Sequence, residues 1–159
     1  MLEDILSNKL VTFQETNMPV PYNYRMHYRY AQIALIIGKC CSRNSISWPK
    51  LQIISSALNY EEEYKNLIRF LENPQEYIPY IKFEPALGRA INFMYAEGLI
   101  KFNSGERIIL TDIGINFHKE LIENTTVMVS DKEKILSIGK KLTESLIQKI
   151  VMSWRLYHV

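Results

Sequence analysis

Two adjacent thiols, Cys40 and Cys41, and three scattered histidines, His27, His118 and His158, are the first places to look for chemistry in this chain. Thiols and imidazoles serve as nucleophiles or metal ligands, and each role needs a spacing. Neighbouring cysteines on a helix point in different directions, so they do not readily bridge each other, and they lack the two-residue spacer of a zinc site. A nucleophile pair of Cys40 with His118 rests on nothing beyond the presence of both residues. The glycines, Gly38, Gly88, Gly98, Gly105, Gly114 and Gly139, are isolated, so no phosphate-cradling loop exists. The expectation is a protein without catalytic residues, bound metal, cofactor or small-molecule substrate. Any nucleotide hydrolysis would belong to a partner.

Nucleic-acid binding is the next class to weigh. Arg25, His27 and Arg29 alternate with Tyr24, Tyr28 and Tyr30, a basic-aromatic mixture suited to gripping a backbone and stacking a base. Lys132, Lys134, Lys140 and Lys141 crowd a second basic stretch. The plainer reading, which we favour, is lysines solvated on an amphipathic helix with tyrosines packed beneath it. Charge is also unevenly spread. Residues 1–60 carry six Lys/Arg against three Asp/Glu, a net +3; residues 61–130 carry seven against eleven, a net −4; residues 131–159 carry six against three, a net +3. An acidic centre is poorly matched to phosphates.

The elements that position these residues are legible from punctuation and period. From Tyr95 to Gly114 the chain reads as a helix closed by Gly98, a strand, a tight turn at Asn103-Ser-Gly105, a return strand and a helix capped by Thr111. The strands are expected at 100–102 and 107–110. Upstream lie helices at 24–43, from Ser47-Trp-Pro49 onward, at 61–71 and at 85–97, with an extended segment at 77–83. Ser130-Asp-Lys-Glu133 resembles a capping box opening one long helix over 131–154, striped by Ile135, Ile138, Leu142, Leu146, Ile150 and Trp154. These patterns predict a mainly α, winged helix-turn-helix-like domain with a small β-hairpin wing and N- and C-terminal helical extensions. Its divisions are an arm at 1–24, a core at 25–124 with an inserted acidic helix at 61–73, and a C-terminal amphipathic helix at 125–159.

The helix before the wing would bury Leu87, Ala90, Ile91 and Met94, leaving Arg89 as its one cation between Glu84 and Glu97. That is a weak phosphate surface, and Phe93 with Tyr95 suits a protein contact at least as well. The terminal stripe is longer than a small core requires, so it reads equally as core or as partner interface through Leu142, Leu146, Ile150 and Trp154.

The order of elements from Tyr28 to Trp154 resembles the middle components of bacterial ABC three-component systems, including small subunits of Lamassu-type anti-phage defence. The likeness rests on Arg29-Tyr-Ala-Gln-Ile-Ala-Leu, Ser47-Trp-Pro-Lys-Leu, the segment from Glu84 to Ile100, Leu110-Thr-Asp-Ile-Gly and a terminal helix closing on Trp154. It implies a non-enzymatic subunit bridging an SMC-like coiled-coil ATPase and an effector nuclease, with DNA held by the assembled complex. A free-standing winged-helix transcriptional regulator is the alternative. No apolar run reaches membrane-spanning length, the N-terminus has acids where a signal peptide needs lysines, and unpaired cysteines suit a reducing compartment, so a cytoplasmic location without membrane attachment is expected.

Overall fold

The computed structural model describes residues 25–157; the N-terminal arm expected at 1–24 lies outside them. At its centre is α1 (Met26–Cys40), in which every residue from Arg29 to Ile37 is buried. A helix apolar on nearly all sides must be covered on all sides. Around it pack α2 (Trp48–Asn59), α4 (Pro85–Ala96), α5 (Asp112–Glu123), α6 (Val129–Ile138) and strand β3 (Ile108–Leu110). The acidic α3 (Glu61–Glu72) lies against α2 and α6 through Leu67 and Phe70, with three glutamates in its first turn. Residues 77–83 carry no regular secondary structure, in line with the extended segment expected there.

Helix α4 buries Leu87, Ala90, Ile91 and Met94, the set its spacing predicts. Gly98 closes it in the left-handed region at φ +75°, and the Leu99 amide donates back to the Met94 carbonyl at 2.9 Å. The hairpin follows, with β2 (Ile100–Phe102) antiparallel to β3. Its turn is locked by the Asn103 side chain, whose Oδ1 accepts from the amides of Gly105 at 3.0 Å and Arg107 at 2.9 Å. The left-handed turn residue is Glu106 rather than Gly105, so the turn runs one residue further than its glycine suggests. A third strand, β1 (Ser45–Ile46), pairs with the free edge of β3, giving the order β1-β3-β2. Two residues are too few to show alternation, and the sequence reading missed this strand.

Thr111 caps α5, its Oγ1 accepting from the Gly114 amide at 3.2 Å and donating to the Gly98 carbonyl at 2.5 Å. One hydroxyl thus ties the end of α4 to the start of α5. The single helix expected over 131–154 is instead two, α6 and α7 (Glu144–Tyr157). Gly139 breaks the run at φ 50°, ψ −140°, a conformation open mainly to glycine. Thr143 then starts α7, its hydroxyl accepting from the Leu146 amide at 3.3 Å. Leu142, in the turn between α6 and α7, is fully buried, so the core contact continues across the break. The expected capping box is also absent, because α6 opens at Val129 behind a left-handed Met128.

Gly114 marks the closest approach of the two halves of the hairpin region. A methyl group there would stand 2.1 Å from the Leu99 carbonyl oxygen, whereas one at Gly88 in α4 meets nothing within 4 Å. Urea unfolding of Gly114→Ala is expected to show a loss of roughly 2 kcal/mol, from overpacking against backbone. Gly88→Ala should gain about 0.5–1 kcal/mol from helix propensity. Equal effects at the two sites would contradict the packing described.

Candidate functional site

Four elements converge on a buried polar cluster. The Arg29 guanidinium, on α1, donates from Nη1 to Glu84 Oε2 just before α4, to Ser55 Oγ on α2, and to Gln32 Oε1, each at 3.1 Å. Ser55 Oγ also donates to Glu84 Oε2 at 3.2 Å. The ion pair is closed to water, with side-chain exposures of 5% and 7%. Gln32 continues the network to Asn59 at 3.2 Å, and Tyr28 donates to Asp131 on α6. Burial holds the Asp131 carboxyl above its usual range, opposed by the hydrogen bonds from Tyr28 and Gln32 and by the nearby Lys134 and Arg29. With Arg29, Gln32, Ser55, Glu84 and Asp131 buried and Tyr28 and Asn59 half-buried at its edges, this cluster is suited to holding helices together.

The two thiols are buried and His118 is half-buried. Burial pushes the Cys40 thiol up to about 12, and Cys40 Sγ lies 3.9 Å from the Ile135 carbonyl. Cys41 is raised by burial and partly restored by Lys50, Arg107 and Lys140. Burial, followed by repulsion from Lys39, lowers His118, whose ring lies over Gly38. No hydrogen bond joins Cys40 to His118, which removes the nucleophile pairing. Among the described residues no cluster of His, Cys, Asp and Glu could hold a metal ion, and no helix is long and apolar enough to cross a membrane.

The expected nucleic-acid residues do not form one surface. Arg29 is a correction: it is the buried centre of the cluster above, because Glu84 and Ser55 supply partners that a local reading cannot see. Arg25 is exposed. Lys134 is bound to Glu61 at 2.9 Å and stands over the Tyr64 ring, and Lys132 donates to the Asn124 carbonyl at 2.5 Å. Lys140 and Lys141 are exposed but line different clefts, Lys141 beside Tyr64 and Arg69, Lys140 beside Lys50 and Arg107. Arg107 reads in the sequence as a hairpin cation offset by Glu106, whereas nothing in its local spacing marks Lys50.

The proposed interface residues also divide. Leu142 and Ile150 are fully buried in this chain's own core and cannot anchor a partner, a second correction. Leu146 is half-buried against that core. Trp154 is 37% exposed and meets the Tyr80 ring edge-on at 6.2 Å. Phe93 is 51% exposed on one flank of α4; Tyr95, two positions on and so on the other flank, is 56% exposed, and Phe102 of β2 is 47% exposed. Tyr95 and Phe102 pack ring to ring at 5.5 Å, so the aromatic surface bridges helix and hairpin. No protein-family model, curated protein or solved structure matches the chain.

The raised Asp131 carboxyl gives a signed prediction. Above its ordinary value of 3.8 the folded protein keeps a proton that the unfolded chain has released. Its contribution to stability is therefore greatest at low pH and declines as pH rises through the folded value. Asp131→Asn should be at least as stable as wild type at neutral pH. The difference between variant and wild type should grow as pH rises above the ordinary value of 3.8 in urea titrations, and level off once the folded carboxyl has ionised. A variant less stable by the same amount at every pH would assign Asp131 a purely hydrogen-bonding role.

Proposed function

We propose that this chain is a non-catalytic adaptor of winged-helix type that docks a partner protein through the outer face of α4 and the neighbouring hairpin. One observation carries the reading: where a DNA-reading helix presents cations, α4 presents Phe93 and Tyr95, extended by Phe102, with Arg89 its single cation. Exposed aromatic side chains are typical of protein interfaces, and Tyr95 with Phe102 makes a continuous patch from α4 to the hairpin. The winged-helix assignment is supported by the order helix, short strand, helix, helix, hairpin, helix, with the edge strand β1 completing a three-stranded sheet and α3 inserted before α4.

The resemblance noted above supplies the partner class. In this proposal the chain is a cytoplasmic subunit of an SMC-like ATPase complex in anti-phage or anti-plasmid defence, bridging the ATPase and an effector nuclease. DNA then meets the assembled complex rather than this subunit alone. The exposed end of α7, with Met152, Trp154 and Leu156, offers a second contact. The transcriptional-regulator alternative calls for cations on α4 and the hairpin, but Arg107 is turned away, spanning Ser45 and Glu144.

Co-expression with the SMC-like ATPase tests the proposal. The Phe93→Asp/Tyr95→Ala variant, verified as folded by circular dichroism, should lose retention by tenfold or more, roughly the effect of one interface hot spot. The isolated wild-type chain should bind random and genomic duplexes only weakly, without preference and with affinity falling steeply in salt. Undiminished co-purification would remove α4 as the docking face, and tight sequence-selective DNA binding abolished by Arg89→Ala would establish the regulator instead.

A further inference from the structure

Lys50 is a buried cation without a counter-ion. It stands in the first turn of α2, is 6% exposed, and donates to the Cys40 carbonyl at 3.0 Å. No carboxylate of the described residues lies within ion-pairing distance of it. An ammonium has three N–H donors, so the carbonyl satisfies part of its capacity. Desolvating a charge in this way is costly unless an opposite charge compensates it.

Its side chain lines a cleft of about 240 Å³, where the end of α1, the start of α2, the base of β3 and the turn before α7 meet. Arg107 and Lys140 line the same cleft, so three cations face one carboxylate, Glu144. That carboxylate is spent on the rim, bound to Arg107 at 3.1 Å and to Ser47 Oγ at 3.2 Å. It is 45% exposed and can yield to a competitor. Lys140 is exposed and makes no ion pair with a described residue. The cleft is thus electropositive, walled by the hydroxyls of Ser42, Ser45 and Thr143 and by the two cysteines, and smaller than the roughly 300–1,000 Å³ typical of larger organic ligands. Its chemistry matches a compact oxyanion with several acceptor atoms.

We propose that this cleft binds a phosphate group, free or as the end of a small phosphomonoester, with Lys50 beneath it and Arg107 and Lys140 at its sides. The phosphate supplies the negative charge that Lys50 lacks, and Glu144 competes with it for Arg107. The site is distinct from the adaptor surface, since none of Phe93, Tyr95 and Phe102 lines it.

Cys41, which also lines the cleft, is the built-in reporter. The full chain is treated with iodoacetamide, and labelling at Cys41 is followed by mass spectrometry with inorganic phosphate, adenosine monophosphate, an unphosphorylated duplex, or sodium chloride at matched ionic strength. Phosphate should slow Cys41 labelling saturably and chloride should not. Lys140→Ala, a surface change that leaves the core intact, should raise the half-protecting concentration by about tenfold, the effect of losing one charge-assisted hydrogen bond. Glu144→Gln should lower it, an effect that a merely structural Glu144 would not produce. Tighter protection by adenosine monophosphate assigns the site to phosphomonoesters, and equal protection assigns it to free phosphate. Protection by chloride to the same extent, protection by the duplex but not by phosphate, or an unchanged response in Lys140→Ala would each overturn the proposal.

Discussion

The guanidinium of Arg29 sits inside the fold, and its demand for a carboxylate sets the arrangement of three helices. α1 is buried throughout from Arg29 to Ile37, so the Arg29 charge must be met within the structure. Glu84 meets it from the residue preceding α4, and Ser55 from α2. Removing one partner of such a pair costs about 3–5 kcal/mol, because the other charge is left buried and alone. The pair therefore holds the start of α4 against the central helix. Once that end is fixed, the apolar set Leu87, Ala90, Ile91 and Met94 decides the rotation of α4, and Phe93 and Tyr95 are left facing outward.

What was legible in the sequence was local. Gly98, the Asn103 turn and the Thr111 cap act over three or four residues, and each lies where its chemistry placed it. The burial of α4 followed from spacing alone. What was hidden depends on distant partners. Arg29, flanked by tyrosines, reads as a nucleic-acid residue until Glu84, 55 positions away, is brought to it. The stripe from Ile135 to Trp154 looked continuous because a turn can hold a side chain in register with a helix; only Gly139, an isolated glycine in that run, signalled the break. Lys50 and Arg107 share a cleft that no single segment describes.

Two surfaces remain outside the structural core. The aromatic patch joining α4 to β2 is the basis of the proposed adaptor role, and it rests on side chains that a small domain has no internal use for. The cationic cleft where α1, α2, β3 and the turn before α7 meet is a separate opportunity, founded on a charge that the fold buries without an ion-pair partner. The two thiols line the wall of that cleft and His118 lies apart from both features; the shifted ionisation of all three follows from packing, with burial the leading cause in each case.

The central claim is that Arg29 and Glu84 are a buried structural pair that fixes α4, and a double-mutant cycle on unfolding free energy tests it most directly. Arg29→Met, Glu84→Gln and the double variant would be compared with wild type in urea. The account predicts that each single change is strongly destabilising and that the double variant is far less so than their sum, with a coupling of about 2 kcal/mol or more. Effects that add to within about 0.5 kcal/mol would mean that the two side chains act independently, and would contradict it.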